Sequence, residues 1–245
     1  MKKRTLSVAP LKALLERVYL YGTITECLLH VTNGRGHVIA LDLTNTVLLE
    51  VHEELPGLED GQYGIGKLDT LVKFLTLCVG EELNYTIDDK WLTLRRKGHG
   101  KFSILLLEPG LVGTQTENDP EINKNIKDNY KIHIPISQGS VNDANAYIGL
   151  ISGQLVSFHL TESGQILFSN ATTNEVERFE TPFGKVEGKV VEEFQVAVYS
   201  QQLSRVFEAL TIPEGKTATL FLAKDRPVII RQDLTNVWCL TNSAV

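Results

Sequence analysis

The chain has 245 residues, 42% of them hydrophobic and 22% charged, with a formal net charge of −6. That length holds one large domain or two of about 100–150 residues, and the composition excludes a disordered or collagen-like chain. The mild acidity excludes a surface that coats nucleic acid everywhere, while leaving room for a local basic face.

The N-terminal run MKKRTLSVAPLKALLERVYL (1–20) starts basic, but Lys12, Glu16 and Arg17 interrupt its apolar residues, so it predicts no secretion signal. Within it, Leu11, Leu14, Leu15 and Val18 recur at helical spacing behind Pro10, which predicts an amphipathic helix over 9–18. Period-two alternation predicts strands at 26–31, 36–43, 82–87, 91–96 and 101–107. Helical spacing returns in GKLDTLVKFLTL (66–77) through Leu68, Leu71, Val72 and Leu75. The second half predicts strands at 131–136, 154–160, 165–170, 193–199, 217–223, 227–232 and 236–241. It predicts helices at 140–151, through Val141, Ala144, Ile148 and Ile151, and at 200–210, through Leu203, Val206, Phe207 and Leu210. Each helix is about three turns long and needs a sheet behind it. No apolar run approaches the roughly 20 residues that cross a bilayer. Cys27, Cys78 and Cys239 are odd in number and widely spaced, which predicts buried free thiols in a reducing compartment rather than metal ligands.

GQYGIGKLDT (61–70) nearly completes the G-x-x-x-x-G-K-[ST] phosphate loop. Leu68 occupies the place of the magnesium-binding hydroxyl, and the approach EVHEELPGLEDGQ carries five acidic residues from Glu50 to Asp60. A shift of 135 positions explains the stretch better. It lays Leu68, Leu71, Val72 and Leu75 over Leu203, Val206, Phe207 and Leu210. Strand 81–87 then falls on 216–222, and 91–96 on 227–232 with one residue allowed for the turn. The second copy reads AVYSQQLSRV at the same place, without glycine, so the glycines are expected to serve the strand-to-helix turn. GLVGTQTENDPEINKNIKDN (110–129) is polar, charged and without periodicity, and reads as a linker. The expected organisation is an N-terminal domain (1–109), a connector (110–129) and a C-terminal domain (130–245), the two domains being copies of one unit.

Two tandem copies of this order, with a polar connector and an acidic balance, resemble the sliding clamps of DNA replication, of the type that includes proliferating cell nuclear antigen and tailed-phage clamps. The run FLAKDRPVIIRQDLTNVWCLTNSAV (221–245) is similar to that family's closing hairpin, and GKLDTLVKFLTLC (66–78) sits where the family places the second helix of its first domain. The resemblance covers essentially the whole chain. It implies an α+β fold of two clamp-type domains, with antiparallel sheets outside and four short helices lining a ring. It also implies a homotrimer, so that three chains supply six domains, and partners comprising double-stranded DNA bound without sequence preference, a DNA polymerase and an ATP-dependent clamp loader. No cofactor, metal or membrane is implied, and the compartment is a prokaryotic or infected-host cytoplasm, in association with the nucleoid. KFSILLL (101–107) is a candidate edge strand between subunits and reads equally as an ordinary buried strand.

The residues opposite the apolar stripes are the candidate phosphate contacts: Lys12 and Arg17, Lys67 and Lys73, and Arg205, with Asn142, Asn145 and Gln202 beside them. Arg95, Arg96 and Lys97 form the densest basic cluster, at a hairpin tip that either touches DNA or stays solvated; Lys2, Lys3 and Arg4 carry the same ambiguity. By resemblance, a partner-peptide pocket draws on Leu43, Val47, Leu111, Val112, Leu240, Ala244 and Val245, whereas core packing explains Leu43, Val47 and Leu240 equally well. Six histidines are scattered singly, and Asp88, Asp89 and Asp225 fall in equivalent turns, so no catalytic residue is expected. The competing readings are a nucleotide hydrolase built on Lys67, a β-rich structural or assembly protein, and a monomeric polymerase accessory subunit of the same fold.

Overall fold

The structure, a computed structural model, describes residues 4–88, 90–98, 100–113, 122–151, 154–170, 178–186, 192–233 and 236–241. The chain forms two units, one of Met1–Leu43 with Leu49–Asp119 and the other of Thr44–Leu48 with Pro120–Val245.

In the first unit, strand β1 (Arg4–Ser7) leads into helix α1 (Val8–Tyr19), whose spacing buries Val8, Leu11, Leu14, Leu15 and Val18 on one side. Strands β2 (Cys27–Thr32), β3 (Arg35–Leu41), β4 (Val47–Glu54) and β5 (Gly61–Ile65) follow. Helix α2 (Leu68–Thr76) buries Leu68, Leu71, Val72 and Leu75 and lies against α1. Each fully buried leucine contributes roughly 1.5–3 kcal/mol relative to exposure, which holds helices too short to persist alone. Strands β6 (Glu82–Asp88), β7 (Trp91–Arg95) and β8 (Lys101–Leu107) complete the unit. The strand order is β1-β6-β7-β8-β5-β2-β3-β4. β4 escapes a first reading of the sequence because four acidic and histidine residues alternate with and follow its inward residues Val47, Leu49 and Val51.

The second unit opens with helix α3 (Ile122–Asn129), inside the stretch read above as an aperiodic linker. Ile122, Ile126 and Tyr130 recur every four residues, one helical face, and pack on Phe221, Ile229, Val237 and Cys239. The Tyr130 hydroxyl donates to the Pro227 carbonyl at 2.8 Å. Then come β9 (Ile132–Ile136), α4 (Gln138–Leu150), β10 (Leu155–Leu160), β11 (Gln165–Asn170), β12 (Glu180–Lys185), β13 (Phe194–Tyr199), α5 (Ser200–Ala209), β14 (Ala218–Leu222), β15 (Val228–Arg231) and β16 (Val237–Leu240). Ser137 caps α4 by accepting from the Ser140 N–H at 3.1 Å. Phe158, Phe168 and Phe183 form the aromatic centre of the β10–β12 sheet, with Phe207 of α5 stacked on Phe183.

The pairing pattern repeats. β1 pairs with β6, β6 with β7, β7 with β8, and β2 with both β3 and β5. Likewise β9 pairs with β14, β14 with β15, β15 with β16, and β10 with both β11 and β13. All of these pairs are antiparallel, and α1 and α2 correspond to α4 and α5. The internal repeat read from 135-residue periodicity is therefore a repeat of topology. Cys27, Cys78 and Cys239 are buried free thiols, as expected. No described helix is long and apolar enough to cross a membrane.

The glycine-rich stretch departs from expectation in its cause. Gly64 and Gly66 have no positive φ; they are small because β8 passes close by. A Cβ on Gly64 would meet the Leu107 carbonyl oxygen at 2.3 Å, and one on Gly66 the Leu107 side chain at 2.8 Å. Lys67 is the N-cap of α2, and the Leu68 N–H that a phosphate would need already donates to the Thr25 carbonyl at 3.0 Å. The segment is a strand-to-helix joint with its helix N-terminus in use.

Candidate nucleic-acid interface

Burial of one stripe on each helix leaves the other face to solvent. On α1 this face carries Lys12, Glu16 and Arg17. Lys12 Nζ donates to Glu16 Oε1 at 2.6 Å, and Arg17 reaches across to Glu53 on β4 at 3.0 Å. On α2, Lys73 is 78% exposed and makes a loose pair with Asp69 at 3.6 Å, while Lys67 is exposed at the helix start. In the second unit, α4 and α5 lie together and are joined by the Ser204 hydroxyl donating to Asn145 Oδ1 at 2.6 Å. Gln138 donates to Asn142 at 3.0 Å, Asn142 and Asp143 are exposed, and Arg205 and Gln202 are half-buried. The helices and the α2 cap thus offer Lys12, Arg17, Lys67, Lys73 and Arg205 against Glu16, Asp69, Asp143 and Glu208. In the first unit four cations stand against Glu16 and Asp69 on these helices, a basic balance; in the second, Arg205 stands against Asp143 and Glu208, and the balance is acidic. Of the five cations, Lys67 and Lys73 are the most exposed.

The β7–β8 hairpin divides its basic cluster. Arg96 is held by Glu81 through Nε at 2.7 and 2.9 Å, a two-oxygen grip that assigns it to the fold. Arg95 and Lys97 are exposed. Arg4 is ion-paired with Glu59, and Lys2 and Lys3 lie outside the described residues.

The candidate peptide-pocket residues separate by burial. Leu43 and Leu111 are 76% and 68% exposed, as are Leu150 and Leu77 at 72% and 71%. Val47, Val112 and Leu240 are buried and present no surface to a peptide: Val47 is an inward position of β4, Leu240 lies in the wholly buried β16, and Val112 is covered just after the 109–111 turn. Ala244 and Val245 lie outside the described residues.

Strand pairing also assembles a group invisible as a motif. On the half-exposed side of β3 and β4, His37, Glu50 and His52 place one donor atom each within 4.8 Å of the others. Glu50 Oε1 lies 3.0 Å from His52 Nε2 and 3.5 Å from His37 Nε2, and the two imidazoles stack at 4.1 Å between centroids. Contact with the His37 ring, then the His52 ring, holds the Glu50 carboxyl down at about 2. The only signal in the sequence was the i, i+2 spacing of Glu50 and His52 on an unrecognised strand.

Two repeats of one β-α-β unit, each with a paired-helix layer and antiparallel sheet, define the sliding-clamp fold. No family model and no curated protein matches the sequence. In structure the chain is similar to the proliferating cellular nuclear antigen of Entamoeba histolytica, with TM-score 0.71, 14% identity and 99% of each chain covered. It is similar to PCNA from Thermococcus kodakaraensis, with TM-score 0.69, 13% identity and coverage of 99% of this chain and 100% of that one. A structure of A. fulgidus PCNA with the C-terminal region of FEN-1 bound matches at TM-score 0.73 and 14% identity, covering 100% of this chain and 99% of that one.

Proposed function

We propose that this protein is a DNA polymerase processivity factor. It closes as a homotrimeric ring on duplex DNA and tethers the polymerase without performing chemistry itself. The observation that carries the reading is the repeat: both units share one pairing pattern, and PCNA chains cover 99–100% of this chain. Three two-unit chains would supply six repeats. Two strands suit the subunit junction. β12 ends its sheet, and among the described pairings Lys101–Leu105 of β8 have β7 alone as a neighbour. Pairing such edges between copies satisfies their backbone groups and closes a cycle.

DNA within the ring would meet Lys67, Lys73, Arg205 and the paired Lys12 and Arg17, with Arg95 and Lys97 at a hairpin tip. These contacts are sparse and independent of sequence, as a sliding protein requires. Leu43 and Leu111, two of the exposed apolar side chains, are the groups from which a partner's peptide would be held; the A. fulgidus PCNA structure has the C-terminal region of FEN-1 bound. An ATP-dependent loader would open the ring. Light scattering across a tenfold concentration range tests closure. A mass of about 82 kDa, three times the 27.3 kDa chain, is expected, and a monomer at every concentration overturns the self-closing ring.

A further inference from the structure

We propose that His37, Glu50 and His52 form a binding site for a late divalent transition-metal ion such as Zn²⁺, on the half-exposed side of β3 and β4. Alternation along β4 sends Glu50 and His52 to the same face, and the neighbouring β3 adds His37. The platform beneath is firm. Val38, Ala40, Leu49 and Val51 point the other way and are fully buried. At the hairpin end the Leu55 N–H donates to the Gly34 carbonyl at 2.6 Å, and Arg35 pairs with Glu54 at 2.8 Å.

The donor set suits the ion in type, and the stacked imidazoles, 4.1 Å apart and 11° from parallel, would turn on binding so that both nitrogen lone pairs converge on it. Two imidazoles and one carboxylate are the ligands of open zinc sites, and imidazole selects late transition metals over magnesium or calcium. Bonds of about 2.0–2.1 Å in a tetrahedron place neighbouring donors roughly 3.3 Å apart. The Glu50–His52 and Glu50–His37 contacts, at 3.0 and 3.5 Å, bracket that value. His37 Nε2 is buried and has no hydrogen-bond partner among the described residues, although it lies next to the carboxylate. An ion at this point would satisfy it. The side chains of His37 and His52 are 34% and 33% exposed, so the rings border solvent although His37 Nε2 itself is covered. His30 stands opposite His37 across β2–β3. The arrangement differs from the simple His159–Glu193 pair in the second unit, where no third donor joins among the described residues. The site is independent of the clamp reading.

The full chain, stripped with a chelator, is titrated with Zn²⁺ against a chromogenic competitor and separately with Co²⁺, read by visible absorption. One equivalent is expected to bind, with His37→Gln, His52→Gln and Glu50→Gln each weakening it at least tenfold and His159→Gln leaving it unchanged. The Zn²⁺-induced rise in Tm should vanish in the same three variants, whose metal-free Tm values report folding. Absence of Zn²⁺ binding to the native chain, or binding unaltered by all three substitutions, overturns the site.

Discussion

A methyl group on Gly64 would fall 2.3 Å from the carbonyl oxygen of Leu107, its partner across β5 and β8. No non-bonded carbon tolerates that approach to backbone, so the residue is glycine for packing and not for phosphate. Gly64→Ala is expected to lower stability by about 1–3 kcal/mol through overpacking. Gly61→Ala, whose added carbon meets nothing closer than 3.6 Å, should shift the urea midpoint far less. Equal midpoints for Gly64→Ala and the native chain would refute the account.

The alkaline limb of stability should depend on Tyr63. Its hydroxyl donates to the Glu59 carbonyl at 2.7 Å, and burial, followed by the neighbouring Tyr85, pushes it up from 10.0 to about 12. The unfolded chain loses this proton near 10 and the folded chain near 12. Between those values the unfolded state binds fewer protons, so stability falls as pH rises. Tyr63→Phe removes the group and should flatten the decline over that window, in urea unfolding at stepped pH. Unchanged slopes would show that Tyr63 ionises alike in both states.

Retention on DNA should separate cations that face solvent from those the fold has claimed. Lys67→Ala and Lys73→Ala are each expected to weaken binding across all sequences and to reduce the salt slope by about 1 for each phosphate no longer neutralised. Arg96→Ala removes the Glu81 partner and should leave the slope unchanged, with little loss of stability, because the pair is solvent-screened. Measuring affinity for linear duplex at several salt concentrations decides it; a slope altered only in Arg96→Ala would reverse the assignment.

Leu43 and Leu111 contribute exposed apolar area that the fold does not use. Leu43→Ser and Leu111→Ser should therefore unfold at the native midpoint. Their capture of the polymerase's clamp-binding peptide should weaken by more than about 1 kcal/mol if these side chains anchor it. Native affinity in both variants, by fluorescence anisotropy, would move the peptide site elsewhere.

The sequence by itself determined the helices α1, α2, α4 and α5, the hairpins after them and the duplication, because a buried stripe imposes a period of 3.6 or 2 on neighbouring residues. It also argued against the phosphate loop, since Leu68 lacks a hydroxyl, and left that reading as a competitor. Helix α3 was legible in the four-residue recurrence of Ile122, Ile126 and Tyr130, but polar residues between them hid it. What only the tertiary structure decided is which residues meet across strands. Gly64 meets Leu107, Arg96 closes on Glu81, and His37 joins Glu50 and His52, each through pairing between segments whose separation carries no local period. A single-residue change of register would turn every one of those side chains to the opposite face. Register is set by the summed burial of both strands, and that sum exists only once the sheet has formed.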